Sequence, residues 1–186
     1  MYRKLAFFLV CATLIMAACG SSEPPAEPAS TPSEAQPPPS KRGTAEATIG
    51  EAGITINYGR PRLEGRDMLG RLQDGQVWRL GMDEATEIES SSDLAFGETT
   101  IKAGRYSLFL KKVSDQEWRL IFNSATGIWG TAYDAAEDVS EVPLEASQPG
   151  ESVEQLTIEI LPSGEKSGEI SIRWATLQLK GAFQVQ

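Results

Sequence analysis

The groups that could do chemistry gather in one short stretch, Val77–Thr86, which reads VWRLGMDEAT. It holds an indole (Trp78), a guanidinium (Arg79) and two adjacent carboxylates (Asp83 and Glu84). Elsewhere the chemical repertoire is narrow. There is no histidine, and the only two cysteines are Cys11 and Cys19. The common general base, the usual nucleophilic triads and the commonest zinc ligand are thereby removed, together with thiol catalysis and thiolate metal sites in the body of the chain. No glycine-rich loop leads into a helix, so no phosphate cradle of that kind is expected. Carboxylate chemistry, arginine recognition and aromatic stacking remain. Two carboxylates flanking a glycosidic bond could hydrolyse it. Asp83 and Glu84, however, are neighbours, and on an extended strand neighbours face opposite ways. No distant partner is marked out among the 26 acids. The repertoire favours a non-catalytic binding protein without cofactor or metal. The alternatives are a carboxylate-dependent hydrolase of an envelope glycan or ester, and a purely architectural protein.

Two roles are open for the stretch itself. In the first it is a latch. If a strand starts near Ala85, then Glu84, Thr86 and Ile88 face inward, while Glu87 and Glu89 face water. An inward carboxylate without a partner costs several kcal/mol, and Arg79, five residues back across the tight LGMD bend, could pair with it bidentately under the cover of Trp78. In the second role, Arg79 and Glu84 form the polar end of a pocket walled by Trp78 and Trp129, with Arg60, Arg62 and Arg66 of GRPRLEGR nearby. The latch is preferred, and the arginines of GRPRLEGR could instead be plain surface partners for an acidic domain, which is the more frequent outcome.

The elements that must hold these residues are strands. Apolar residues alternate with polar ones in ITINYG (Ile54, Ile56, Tyr58), RYSLFLKK (Tyr106, Leu108, Leu110) and EWRLIFN (Trp118, Leu120, Phe122). The same period recurs in EQLTIEIL (Leu156, Ile158, Ile160), EISIRWA (Ile170, Ile172, Trp174) and TLQLKGAFQV (Leu177, Leu179, Phe183, Val185). Period-two segments separated by Gly, Pro and Ser turns indicate an all-β domain, an antiparallel β-sandwich of jelly-roll or immunoglobulin-like type. At most a turn or two of helix is expected, around Gly65–Leu72 or Thr131–Glu137. If Tyr106, Leu108 and Leu110 share a face with Trp118, Leu120 and Phe122, even-numbered residues must oppose even-numbered ones, because a slip of one residue would send half of them to water. Phe109 and Ile121 then point to the other face and need either a covering loop or a binding partner.

The N-terminal part has a different composition. Residues 1–18 carry a short basic start (Arg3, Lys4) and then an apolar run from Leu5 to Ala18 broken only by Thr13. The run is too short for a stable membrane span and ends in small residues, as an export signal does. Met16-Ala17-Ala18-Cys19 resembles a bacterial lipobox, in which Cys19 would become the first mature residue and carry lipid. Multiple acyl chains, at about 0.8 kcal/mol per buried methylene, would hold the protein on a membrane. Gly20 in place of Asp after the Cys resembles an outer-membrane sorting context. Residues 19–44 form the expected tether, since seven of the eleven prolines lie between Gly20 and Gly43 and no aromatic or large aliphatic residue does. Such a segment cannot bury enough surface to offset the entropy of ordering it, and its extended reach is up to roughly 70 Å. The folded domain is expected over 45–186. Without the signal, 15 Lys and Arg stand against 26 Asp and Glu, a net charge of −11. That balance disfavours nucleic acid and anionic lipid headgroups as partners.

Five segments, INYGRPRLEGRDMLG, VWRLGMDEAT, IKAGRYSLFL, EWRLIFN and the WG of Trp129-Gly130, stand in an order that resembles a bacterial family known as domain of unknown function 2911. The resemblance covers most of the domain, from about Ala47 onward. It implies a β-rich fold and exported or lipid-anchored members. It implies no activity, cofactor or catalytic residue. Where members commonly have a small residue and an amide, this chain has Met82-Asp83. The sequence as a whole thus predicts an envelope lipoprotein whose partners are the membrane, through Cys19, and an unidentified envelope ligand or protein.

Overall fold

In the computed structural model, residues 41–148 and 150–186 are described. The expected signal over 1–18, Cys19 and the proline-rich segment as far as residue 40 lie outside them. Every regular element among the described residues is a strand, except a 3-10 turn at Ala135–Glu137. In chain order the strands are β1 (Arg42–Ile49), β2 (Ala52–Gly59), β3 (Val77–Trp78), β4 (Thr86–Ser90), β5 (Leu94–Phe96) and β6 (Thr99–Ile101). They continue with β7 (Gly104–Lys112), β8 (Glu117–Asn123), β9 (Asp138–Ser147), β10 (Val153–Pro162), β11 (Ser167–Ala175) and β12 (Leu177–Val185). The first strand among the described residues therefore begins at Arg42, inside the stretch whose composition suggests tether.

All these strands belong to one antiparallel sheet, ordered β1-β2-β4-β7-β8-β9-β12-β11-β10, with β3 also on β7 and the β5–β6 hairpin on β12. The two ends of that order meet just beyond β2. Leu156 N–H donates to the Pro61 carbonyl at 3.0 Å and Leu63 N–H to the Glu154 carbonyl at 2.9 Å. Arg62 and Gln155 form an isolated antiparallel bridge between them. One step along, a side chain stands in for a neighbouring strand. The buried Tyr58 hydroxyl accepts from Ile158 N–H at 3.1 Å and donates to the Ile158 carbonyl at 3.3 Å. Both polar groups of an edge residue are thereby satisfied. The sheet is nearly closed into a barrel, and the expected two-layer sandwich is corrected accordingly. The reason for the misreading is physical: alternation reports that one face of each strand is buried, and sandwiches and barrels share that property.

The alternating residues fill the interior. Ile54, Ile56, Leu108, Leu110, Leu120, Phe122, Leu156, Ile170 and Leu179 are all essentially inaccessible to solvent. Each such side chain contributes about 1.5–3 kcal/mol through burial. The β7–β8 register pairs Leu108 with Phe122, Leu110 with Leu120 and Lys112 with Trp118, even opposite even. The odd-numbered Phe109 and Ile121 point outward but are fully buried with Ala85 in a second, smaller cluster. Ile128 and Tyr133, from the long β8–β9 connection, pack against that cluster and cover it. Burial there, reinforced by a hydrogen bond to Asp138, raises the Tyr133 hydroxyl pKa well above its ordinary value.

Candidate functional site

The Val77–Thr86 stretch is shaped by how β3 and β4 share one edge of β7. Trp78 pairs with Leu110, and Thr86 pairs with Leu108. The residues from Arg79 to Ala85 therefore stand opposite the single residue Phe109 and must loop out. The excursion is tight. Leu80 and Asp83 both adopt positive φ, 46° and 61°. Left-handed backbone costs a leucine about 1–2 kcal/mol. Complete burial of the Leu80 side chain returns about 1.5–3 kcal/mol, so the conformation is held by the core. The buried Thr86 hydroxyl donates to the Leu80 carbonyl at 2.6 Å and closes the base of the loop. Gly59 allows its close approach, since a Cβ there would lie 2.1 Å from the Met82 carbonyl oxygen. On the outer side, Ala85 N–H donates to the Ile128 carbonyl at 3.0 Å and Gly130 N–H to the Asp83 carbonyl at 2.8 Å.

The stretch is thus latched, but not by the expected ion pair. Glu84 is exposed and bonds to Arg42 of β1 at 2.6 Å. It does not face the core, because the left-handed residue Asp83 just before it reverses the sense of alternation on which that expectation relied. Glu87 is likewise not turned to water. Its side chain is only 12% exposed, is ion-paired with Arg105, and accepts the Gly127 N–H at 2.6 Å beneath the covering loop. Thr86 and Ile88 face inward as expected. Trp129 is 52% exposed. Its backbone bridges that of Glu84, and it is not among the residues that line the two clefts beside Trp78.

Trp78 and Arg79 do line a cleft of about 540 Å³, at the place where the barrel ends meet. Its aromatic wall is Trp78 stacked on Trp174, with ring centroids 5.2 Å apart and planes within 9°. Met68 and Met82 extend the apolar surface. Against it stand Arg60, Arg62 and Arg66 from GRPRLEGR, together with Arg79 and Lys41. Glu64 is the one carboxylate among the described lining residues. Of the sequence candidates, the cleft gathers Trp78, Arg79, Arg60, Arg62 and Arg66, and leaves out Glu84 and Trp129.

The cations differ in how they are held. Arg66 pairs with Glu64 at 3.2 Å and also donates to the Leu63 and Arg62 carbonyls at 3.1 Å. Arg62 lies 3.8 Å from Glu154. Half-buried Arg60 donates through Nε to the Leu156 carbonyl at 3.5 Å. Its terminal nitrogens, and the whole guanidinium of half-buried Arg79, have no hydrogen-bond or ion-pair partner among the described residues. The buried Nε1–H of Trp174 also lacks an acceptor. Trp174 is the residue that sequence reasoning missed. Its inward orientation is legible in EISIRWA, but its stacking on Trp78 depends on closure of the sheet.

A β-barrel domain with a cationic, tryptophan-walled cleft at its seam is the class that these observations define. The chain belongs to the family described as Protein of unknown function (DUF2911), which matches residues 40–183. Comparison with curated proteins and with solved structures finds no match.

Proposed function

We propose that this chain is an exported envelope protein, lipid-anchored to the outer membrane, whose barrel binds a small ligand at the Trp78/Trp174 cleft without transforming it. The observation that carries the binding half is the pair of half-buried arginines, Arg60 and Arg79, which line the cleft on a strongly acidic protein and have no carboxylate partner among the described residues. An unpaired, partly desolvated charge is unfavourable in the free protein and is relieved by an incoming anion or polar group. Against catalysis weighs the lining itself, whose carboxylate, Glu64, is already tied to Arg66. The lipoprotein half rests on Met16-Ala17-Ala18-Cys19 and on the proline-rich segment that follows.

Each half has its own test. Growth with an alkyne-tagged fatty acid should label the chain, and Cys19→Ser should abolish the label. A labelled Cys19→Ser protein would refute lipidation at that residue. For binding, thermal-shift screening of the full chain against envelope sugars, peptides and metabolites should yield ligands that raise Tm for the native protein but not for Arg79→Ala. Conversion of any such ligand at enzymatic rates would replace binding by catalysis.

A further inference from the structure

We infer that the cleft at the barrel seam takes an organic anion, a carboxylate or phosphate carried on a planar ring. The inference rests on the binding role proposed above and specifies the chemistry of its ligand.

Charge gives the first half. Among the described residues, five cations and one carboxylate line the cleft, on a chain whose overall charge is −9. A local surplus of that sign against the global field concentrates anions at one place. Arg62 and Arg66 have carboxylate neighbours of their own and Lys41 is exposed to water, so the unsatisfied and partly desolvated capacity lies with Arg60 and Arg79. Both are packed along their stems. A Cβ at Gly43 would lie 2.6 Å from Arg60 Cδ, and one at Gly130 would lie 3.0 Å from Arg79 Cδ. These glycines admit the two side chains against the backbone, which reduces the rotamer entropy lost when the guanidiniums engage a ligand. The planar guanidinium fork matches carboxylate and phosphate oxygens two at a time.

Shape and surface give the second half. The stacked indoles of Trp78 and Trp174 make a stiff aromatic wall, and aromatic faces favour offset stacking with other rings. A volume of about 540 Å³ is that of a small-molecule site, within the usual range of roughly 300–1,000 Å³. Inorganic phosphate alone would leave the wall unused, and a neutral ring would leave the arginines unpaired.

The test uses the full chain and 1-naphthyl phosphate, followed by isothermal titration calorimetry, with thermal melts to verify that each variant is folded. One site is expected, weakening as salt is raised. Arg60→Gln and Arg79→Gln should each weaken binding about tenfold or more, the usual loss for a hydrogen bond to a charged group. Trp78→Leu should weaken it as well, whereas Arg119→Gln, which alters an arginine paired with Glu117 on β8, should not. In the native protein, 1-naphthol and inorganic phosphate should both bind at least about tenfold more weakly than the joined molecule. Equal binding of 1-naphthol, or no binding of 1-naphthyl phosphate at millimolar concentration, overturns the anionic class and leaves the broader binding role standing. Tighter binding of dihexanoyl phosphatidic acid overturns the planar ring in favour of acyl chains. Release of 1-naphthol from the phosphate at an enzymatic rate overturns the non-catalytic role instead.

Discussion

Two clefts of similar size on the barrel differ in how their charges are met. The one at the seam, about 540 Å³, contains Trp78, Trp174, Arg60 and Arg79. The other, about 490 Å³, contains Leu69, Lys112, Asp115, Trp118 and Leu177. Each has a buried tryptophan whose Nε1–H lacks an acceptor among the described residues, Trp174 in the first and Trp118 in the second. In the second cleft, however, the cation is fully engaged. Lys112 Nζ lies 2.7 Å from Asp115 and 3.3 Å from Asp74, and it donates to the Leu72 carbonyl at 3.2 Å. The hydrogen bond that Lys112 donates to Asp115, assisted by Asp74, holds the Lys112 amine above its ordinary pKa against the opposing effect of desolvation. Volume and aromatic lining therefore do not distinguish the clefts. The distinguishing property is whether the protein has already neutralised its own charge, because only unsatisfied charge gains from a ligand.

The comparison can be broken in several ways. The largest effect is expected from the two tryptophans. Trp174→Ala and Trp118→Ala should each lose about 3–5 kcal/mol in urea unfolding, the range for emptying a buried aromatic position. A much smaller loss at either would show that its cleft collapses on truncation. Next, Thr86→Val strips the Leu80 carbonyl of its buried donor and should cost about 1–3 kcal/mol; a neutral result would mean that the excursion needs no latch.

The sharpest contrast is between cations. Lys112→Met should lower Tm, since two carboxylates lose their counter-charge, whereas Arg79→Met should leave Tm unchanged or raise it. Equal losses at the two positions would show that Arg79 has a structural partner. A subtler measure is a double-mutant cycle. Arg42 and Glu84 should couple by about 0.2–1 kcal/mol, the usual value for an exposed pair, while Arg79 and Glu84 should be additive.

The smallest effect is in pH. The Lys112 pKa is raised on folding, so its stabilisation is fully present below its ordinary value of 10.5 and fades as pH rises through the higher folded value. The stability difference between the native protein and Lys112→Met should shrink correspondingly in alkaline melts. A difference independent of pH would separate the role of Lys112 from its charge.

Much of this molecule was legible residue by residue. The inward set of each strand, the even-to-even register of β7 on β8 and the need to cover Phe109 and Ile121 all follow from a period of two. That period is imposed locally by the backbone and requires no knowledge of the rest of the fold. The grouping of Arg60, Arg62 and Arg66 with Trp78 and Arg79 was also within reach, although Trp129 and Glu84 were grouped with them and lie elsewhere. The Glu84 error has a definite origin: periodicity was carried through a segment where Leu80 and Asp83 adopt positive φ, and one left-handed residue breaks the phase.

What the sequence by itself determined is the all-β character, the composition of the core and the chemistry that is missing, because burial patterns and residue inventories are properties of the chain. Closure of the sheet, the Tyr58 hydroxyl at its seam, the stacking of Trp78 on Trp174 and the separation of engaged from unengaged cations were decided only by the tertiary structure. Each of these depends on which distant strands come to lie side by side, and neither local periodicity nor composition carries that information.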